Sequence, residues 1–250
     1  MRIKFLCIFL SIFLFSSSVY AGSFSVKPIW VYLNSNKKVE SLHLKNSAKE
    51  SVTIQIKTFE WTQDDEGRDV YTPTEEIFYM PRVITLNGEE ERTIKIGYDK
   101  KPSAVEKTFR IYFEELPEAK IKTDETGMRI ALKLGVPIFI TPQKKDGPKG
   151  EIANVSVLKH KLFFQIKNNG NEHFYPKSIS VSVVDAKGKD IFSDKQQAWY
   201  ILAGKNRTYT VDIPADKCRI IKTIFIEAEL EIEKAKVSKT VSIDSNSCED

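Results

Sequence analysis

The stretch Met128-Arg129-Ile130-Ala131-Leu132-Lys133-Leu134-Gly135-Val136-Pro137-Ile138-Phe139-Ile140-Thr141 decides how the chain is read. Met128, Ile130, Leu132, Leu134, Val136, Ile138 and Ile140 fall at period two, which is the repeat of a strand and not of a helix. Fourteen such residues at ~3.3 Å each would span about 46 Å, well past the usual strand of roughly 5–6 residues. Pro137 has no N–H to give to a ladder, so an edge position or a bulge is expected there. A long apolar edge strand invites aggregation unless something covers it or a partner pairs with it. A one-sided strand packed on its own core is the plainer alternative.

Outward from this stretch, the chain begins with Arg2 and Lys4, an apolar run from Phe5 to Phe15, then Ser16 to Ser18 and Val19-Tyr20-Ala21. This pattern predicts a secretory signal peptide over residues 1–21, cut after Ala21 and taking Cys7 with it. No later segment approaches ~20 consecutive apolar residues, so Gly22 to Asp250 is expected to be soluble outside the cytoplasm. Without Arg2 and Lys4 the 38 basic residues become 36 against 34 acidic ones, a balance near +2. Nucleic-acid binding is not indicated by that balance.

Alternating segments separated by turn residues recur at Phe24–Val31, Val39–Leu44, Val52–Phe59, Arg92–Ile96, Phe109–Phe113, Ile152–Val157, Leu162–Ile166, Ile179–Val184, Thr208–Ile213, Ile220–Ile232 and Val237–Ile243. Many short strands at this spacing predict an all-β protein built from sandwiches. Between Thr141 and Glu151 the composition turns to Pro142, Lys144, Lys145, Asp146, Gly147, Pro148, Lys149 and Gly150, which is that of a linker. Internal similarity supports the division. Leu44-Lys45-Asn46-Ser47 is echoed by Ile166-Lys167-Asn168-Asn169, 122 residues on, and Leu86-Asn87-Gly88 by Leu202-Ala203-Gly204, 116 residues on. Two related sandwiches in tandem are therefore expected, over residues 22–142 and 151–250, joined by 143–150.

Cys218 and Cys248 remain after processing. A hairpin around Glu233 with Leu230 opposite Val237, Ile226 opposite Val241 and Ile224 opposite Ile243 brings them nearly face to face. In an oxidising compartment they should form a disulfide, worth about 3–4 kcal/mol. His43, His160 and His173 lack metal-ligand spacing and nucleophile motifs, and each reads as a surface or loop residue. Asp64-Asp65-Glu66-Gly67 with Asp69 lacks the terminal Glu of a calcium loop and reads as a solvated turn. Asn154-Val155-Ser156 and Asn206-Arg207-Thr208 match the glycosylation pattern, which is too common to decide anything. No catalytic residue, metal site, cofactor or small-molecule substrate is indicated, and the chain reads as a non-enzyme.

The hairpin leading into the opening stretch stands out. Phe109, Ile111 and Phe113 alternate with Arg110, Tyr112 and Glu114 before a turn that starts at Pro117. Pairing apolar with apolar sets Phe113 against Ile130, Ile111 against Leu132 and Phe109 against Leu134, with Arg110 opposite Lys133. Like charges directly opposite are destabilising. An anion is expected between them, either Glu106 of this chain or a carboxylate from a partner.

With these residues in view the chain resembles the periplasmic pilus-assembly chaperones of chaperone–usher pathways, the PapD-like family. The resemblance rests on Ile29-Trp30-Val31-Tyr32, Leu44-Lys45-Asn46, Ile84-Thr85-Leu86-Asn87-Gly88, Phe109-Arg110-Ile111-Tyr112 through Leu116-Pro117, and Ile130-Ala131-Leu132 to Ile138-Phe139-Ile140-Thr141-Pro142. It implies two immunoglobulin-like domains set like a boomerang and a location in the periplasm. It further implies donation of Met128, Ile130, Leu132 and Leu134 to an incomplete pilus or fimbrial subunit, and delivery to an outer-membrane usher. The basic residues that hold the subunit's terminal carboxylate in the best-known branches are matched here by Ile29 and Pro137. That scheme cannot be carried over, and the Gly135-Val136-Pro137-Ile138-Phe139 run resembles the archaic-type branch instead. Arg110 and Lys133 are the substitute anchors, with Lys27 and Arg92 behind them. The competing reading is a secreted structural or adhesive pilus component made of similar sandwiches.

Overall fold

The computed structural model describes residues 24–117, 131–147, 149–231, 235–243 and 248. The signal-peptide stretch and the expected donor residues Met128 and Ile130 lie outside these. In the first half, β1 (Phe24–Lys27), β3 (Val39–Asn46), β8 (Glu91–Gly97) and β6 (Phe78–Met80) form a four-stranded sheet in the order β1-β3-β8-β6. It faces a six-stranded sheet of β2 (Val31–Leu33), β10 (Lys133–Ile140), β9 (Lys107–Glu115), β4 (Val52–Gln63) and β5 (Asp69–Pro73), in the order β2-β10-β9-β4-β5 with β7 (Val83–Leu86) also on β4. Alternation drives the packing. Leu42 and Leu44 of β3, Ile54 and Ile56 of β4, Ile94 and Ile96 of β8 and Phe109, Ile111 and Phe113 of β9 meet in one core, each burial contributing about 1.5–3 kcal/mol.

The second half repeats the plan. Here β11 (Gly150–Leu158), β12 (Lys161–Asn168) and β15 (Asn206–Asp212) form a three-stranded sheet over β14 (Asp190–Gln196), β13 (Pro176–Asp185), β16 (Ile221–Leu230) and β17 (Lys236–Ser242), ordered β14-β13-β16-β17. A separate core includes Leu162, Phe164, Ile166, Val181, Val183, Ile224 and Ile226. The short helix α1 (Ala215–Cys218) carries Cys218, which is bonded to Cys248 with the Cα atoms 5.7 Å apart.

The internal similarity read from the sequence has a structural basis in two buried asparagines. The Asn46 amide donates to Glu50 O (2.8 Å) and Asn87 O (2.9 Å) while its Oδ1 accepts from the Ala48 N–H. Asn168 does the same with Glu172 O (2.8 Å), Ile201 O (2.9 Å) and the Gly170 N–H. In each sandwich one amide side chain closes a loop whose backbone groups would otherwise be buried unpaired.

Several sequence expectations are corrected. Phe24–Val31 is not one strand: the chain breaks around Pro28 and crosses from the four-stranded to the six-stranded sheet. In the β9–β10 hairpin Leu134 faces Phe113, Val136 faces Ile111 and Ile138 faces Phe109, four residues along from the expected pairing. Arg110 therefore stands opposite Pro137, and Lys133 opposite Glu114. The β16–β17 register is displaced by two, with Ala228 opposite Val237 and Ile224 opposite Val241. Both errors have one cause. A slide by an even number keeps every side chain on its face, so the apolar pattern cannot distinguish such registers. His173 lies in a loop, between β12 and β13, but it is buried there against Glu106 and is not on the surface.

Candidate functional site

Strand β10 is paired unequally along its length. On one side β9 accompanies it from Lys133 to Ile140, and the backbone pairing runs on to Leu132, whose carbonyl accepts from the Glu115 N–H at 2.9 Å. On the other side β2 joins it in parallel only at Ile138, Phe139 and Ile140. From Lys133 to Pro137 that edge has no strand beside it among the described residues. Pro137, without an N–H, sits where this edge begins, as its chemistry requires.

Along the core-facing row of β10, burial falls off toward its outer end. Val136, Ile138 and Ile140 are buried in the first core, whereas Leu132 and Leu134 only pack against its margin. The apolar row thus runs out past the end of the core it belongs to. Ile29, Trp30 and Tyr32, around β2, add exposed apolar surface near the same edge.

The outward face of the six-stranded sheet is built in layers fixed by register. Phe139 and Thr108 lie side by side nearest the second sandwich, Pro137, Arg110 and Phe59 come next, then Gly135, Tyr112 and Lys57, then Lys133, Glu114 and Gln55. Gly135 leaves room for the Tyr112 ring; a Cβ there would lie 2.7 Å from Tyr112 Cε1. Lys133 Nζ stands 4.8 Å from the centre of that ring and 3.8 Å from Glu114 Oε2. Lys133 and Arg110 share the face but stand four strand positions apart, too far for one carboxylate to join them. Lys27 and Arg92 lie in the four-stranded sheet, where Arg92 is paired with Glu90 at 2.5 Å.

Arg110 is 9% exposed and has no carboxylate within ion-pair distance among the described residues. Its guanidinium stacks 4.4 Å from the Trp61 ring, 5.9 Å from Tyr71 and 5.6 Å from Trp199. Neither Arg110 Nε nor Trp61 Nε1 has a hydrogen-bond partner among these residues. Burial pushes the Tyr71 phenol well above its ordinary range despite the pull of Arg110, and burial raises Tyr200 as well, so the surrounding rings are neutral. Cation–π contacts return about 0.5–2 kcal/mol each, while an uncompensated buried charge costs several kcal/mol. The arrangement suits an incoming anion.

Glu106 does not neutralise Arg110. Its Oε2 accepts from the His173 N–H (2.9 Å) and pairs with His173 Nδ1 (2.7 Å), with Phe139 stacked 3.8 Å from the imidazole. Burial, with Glu106 adding to it, raises the neighbouring Tyr32 phenol to about 12. The junction is also tied by Gln63, which donates to Tyr200 O and accepts from the Leu202 N–H, and by Arg207, which donates to Gly67 O. Gly67, at φ +82°, lies so close to the second sandwich that a Cβ would come 2.5 Å from Asn206 O. Among the described residues no cluster of His, Cys, Asp or Glu is placed to hold a metal ion.

Residues 23–146 match the family described as pili and flagellar-assembly chaperones, PapD N-terminal domain. The chain belongs to the PapD-like pilus-assembly chaperones. Solved structures extend the likeness over both sandwiches of the chaperone. The archaic chaperone in the CsuC–CsuE chaperone–tip adhesion subunit pre-assembly complex of Acinetobacter baumannii aligns with a TM-score of 0.63 at 17% identity, covering 87% of this chain and 98% of that one. The class 5 fimbriae chaperone CfaA gives 0.55 at 19% identity, over 88% and 99%. The Salmonella enterica complex of SafA pilin with the SafB chaperone gives 0.57 at 10% identity, over 90% and 99%. None of the curated protein sequences matches the chaperone. Trp61, Tyr71 and Trp199 escaped the sequence reading: no spacing connects positions 61, 71 and 199 with Arg110; the register of β5 and β4 beside β9 brings the first two, and the docking of the second sandwich brings Trp199.

Proposed function

We propose that the protein is a periplasmic chaperone that lends β10 to an incomplete pilus subunit and passes the subunit to an outer-membrane usher. The observation that carries this is the half-paired β10. Its Lys133–Pro137 edge is open, and the apolar row that fills its own core continues outward through Leu134 and Leu132. In the sequence Met128 and Ile130 continue that parity. A strand added along the open edge would satisfy its backbone groups while receiving this row into its own core. Both sandwiches hold their own apolar cores, which favours the chaperone over the pilus component.

Arg110 is the proposed anchor for the subunit's terminal carboxylate. It stands opposite Pro137, one strand away from a position that the family resemblance would make basic. Its buried, unpaired guanidinium can hold a carboxylate bidentately. Lys133, at the outer end of the same face, would meet the subunit farther along its strand.

The test is co-expression with a short secreted subunit of the same genome. The wild-type protein should co-purify with it, and the Ile130→Asp, Leu132→Asp double variant should not, while keeping its circular dichroism and melting transition. Unfolding of that variant in isolation would mean that these side chains belong to its own core and that the strand is not donated.

A further inference from the structure

Trp199 comes from the second sandwich, in the connection between β14 and β15, yet it covers Arg110 of the first. Its indole N–H donates to Asp69 Oδ2 at 2.8 Å, across the junction. Asp69, the first residue of β5, also accepts from the Tyr71 hydroxyl at 3.1 Å and from the Gln63 amide at 3.0 Å. Two of the three side chains held by this carboxylate, Trp199 and Tyr71, are the rings stacked around the guanidinium. Asp69 is thus engaged by three neutral donors while Arg110 stays without an ion-pair partner. The carboxylate orients the aromatic walls and does not quench the charge within them.

We propose that Trp199 and Asp69 are positioning residues for Arg110, so that the carboxylate site is complete only with the second sandwich docked on the first. This rests on the reading of Arg110 as the anchor. A guanidinium loses bidentate geometry when it can rotate, and three flanking rings restrict that rotation. Removal of the Trp199 ring opens one wall and lets water solvate the cation before any partner arrives. The proposal therefore separates two contributions to binding. Backbone pairing along β10 should be indifferent to Trp199, and recognition of a terminal charge should depend on it.

The experiment uses the mature protein and an N-acetylated octapeptide of alternating valine and threonine, as the free acid and as the C-terminal amide, followed by tryptophan fluorescence or calorimetry. The wild type should prefer the acid by about tenfold or more, as expected for one charge-assisted contact. Trp199→Ala should bring the acid-to-amide ratio close to one with amide affinity unchanged, Trp199→Phe should keep part of the preference, and Asp69→Asn should lower it from the other sandwich. A wild-type ratio in Trp199→Ala and Asp69→Asn, or an equal loss of acid and amide binding in both, overturns the positioning role. Arg110→Ala is the separate control: if it retains the preference, or if the wild type shows none, the anchor reading fails and the positioning role with it.

Discussion

The last strands of the two sandwiches, β10 and β17, occupy comparable places and are treated in opposite ways. Each lies at or beside the end of a sheet, paired along its length on one side only. In β17 the residues of core parity are Val237, Lys239 and Val241, and Lys239, opposite Ile226, is exposed. A lysine in the inward row spoils an edge for pairing with another chain. In β10 the same row reads Leu134, Val136, Ile138 and Ile140 without interruption. One edge is blunted and the other kept adhesive, on otherwise similar scaffolds. The contrast supports the proposed role of β10: a lysine interrupts the inward row of β17, and nothing interrupts that of β10.

The comparison can be broken most severely by writing the β17 device into β10. Leu134→Lys should abolish co-purification with a pilus subunit, a loss of roughly a hundredfold or more in affinity. It should lower the melting temperature only slightly, since Leu134 merely borders its own core; undiminished capture would show that the row is not donated. The next largest effect is expected at Arg110. Arg110→Ala should weaken subunit binding by about 2–5 kcal/mol, with Arg110→Lys recovering part of it and both variants folded. Calorimetry against a purified subunit decides this, and wild-type affinity in Arg110→Ala would remove it as the anchor.

A third experiment sharpens the contrast from the side of β17. The Cys218–Cys248 bond ties the chain end beyond β17 to helix α1. Replacing both cysteines by serine should cost the second sandwich about 2–4 kcal/mol of unfolding free energy. Subunit binding at temperatures where the variant is folded should not change. Denaturant unfolding measures the first quantity and calorimetry the second; a parallel loss of binding would mean that the two sandwiches are coupled through more than their junction.

Much of this molecule was legible in residue order because it depends on local rules. Period two along Val52–Phe59 or Leu162–Ile166 identifies strands, since alternate side chains point to opposite faces whatever surrounds them. The paired motifs at Asn46 and Asn168 disclosed the tandem sandwiches, because each asparagine serves backbone groups nearby in its own loop. The cysteine pairing was also accessible, although the register used to reach it was displaced by two residues.

What the sequence could not determine is what depends on register and on docking. Even slides preserve the apolar match, so the β9–β10 alignment is set by tertiary constraints such as the parallel seam of Ile138–Ile140 with β2. That alignment puts Pro137, and not Lys133, opposite Arg110. Likewise His173 looks like an ordinary polar residue until the second sandwich presses it onto Glu106 and Phe139. Trp61 and Tyr71 reach the Arg110 guanidinium through the register of neighbouring strands β5, β4 and β9, and Trp199 closes the box only because the second sandwich meets the first at this junction. Period and composition act within a segment, whereas the site is made by contacts between distant segments, and those are selected by the free energy of the whole fold.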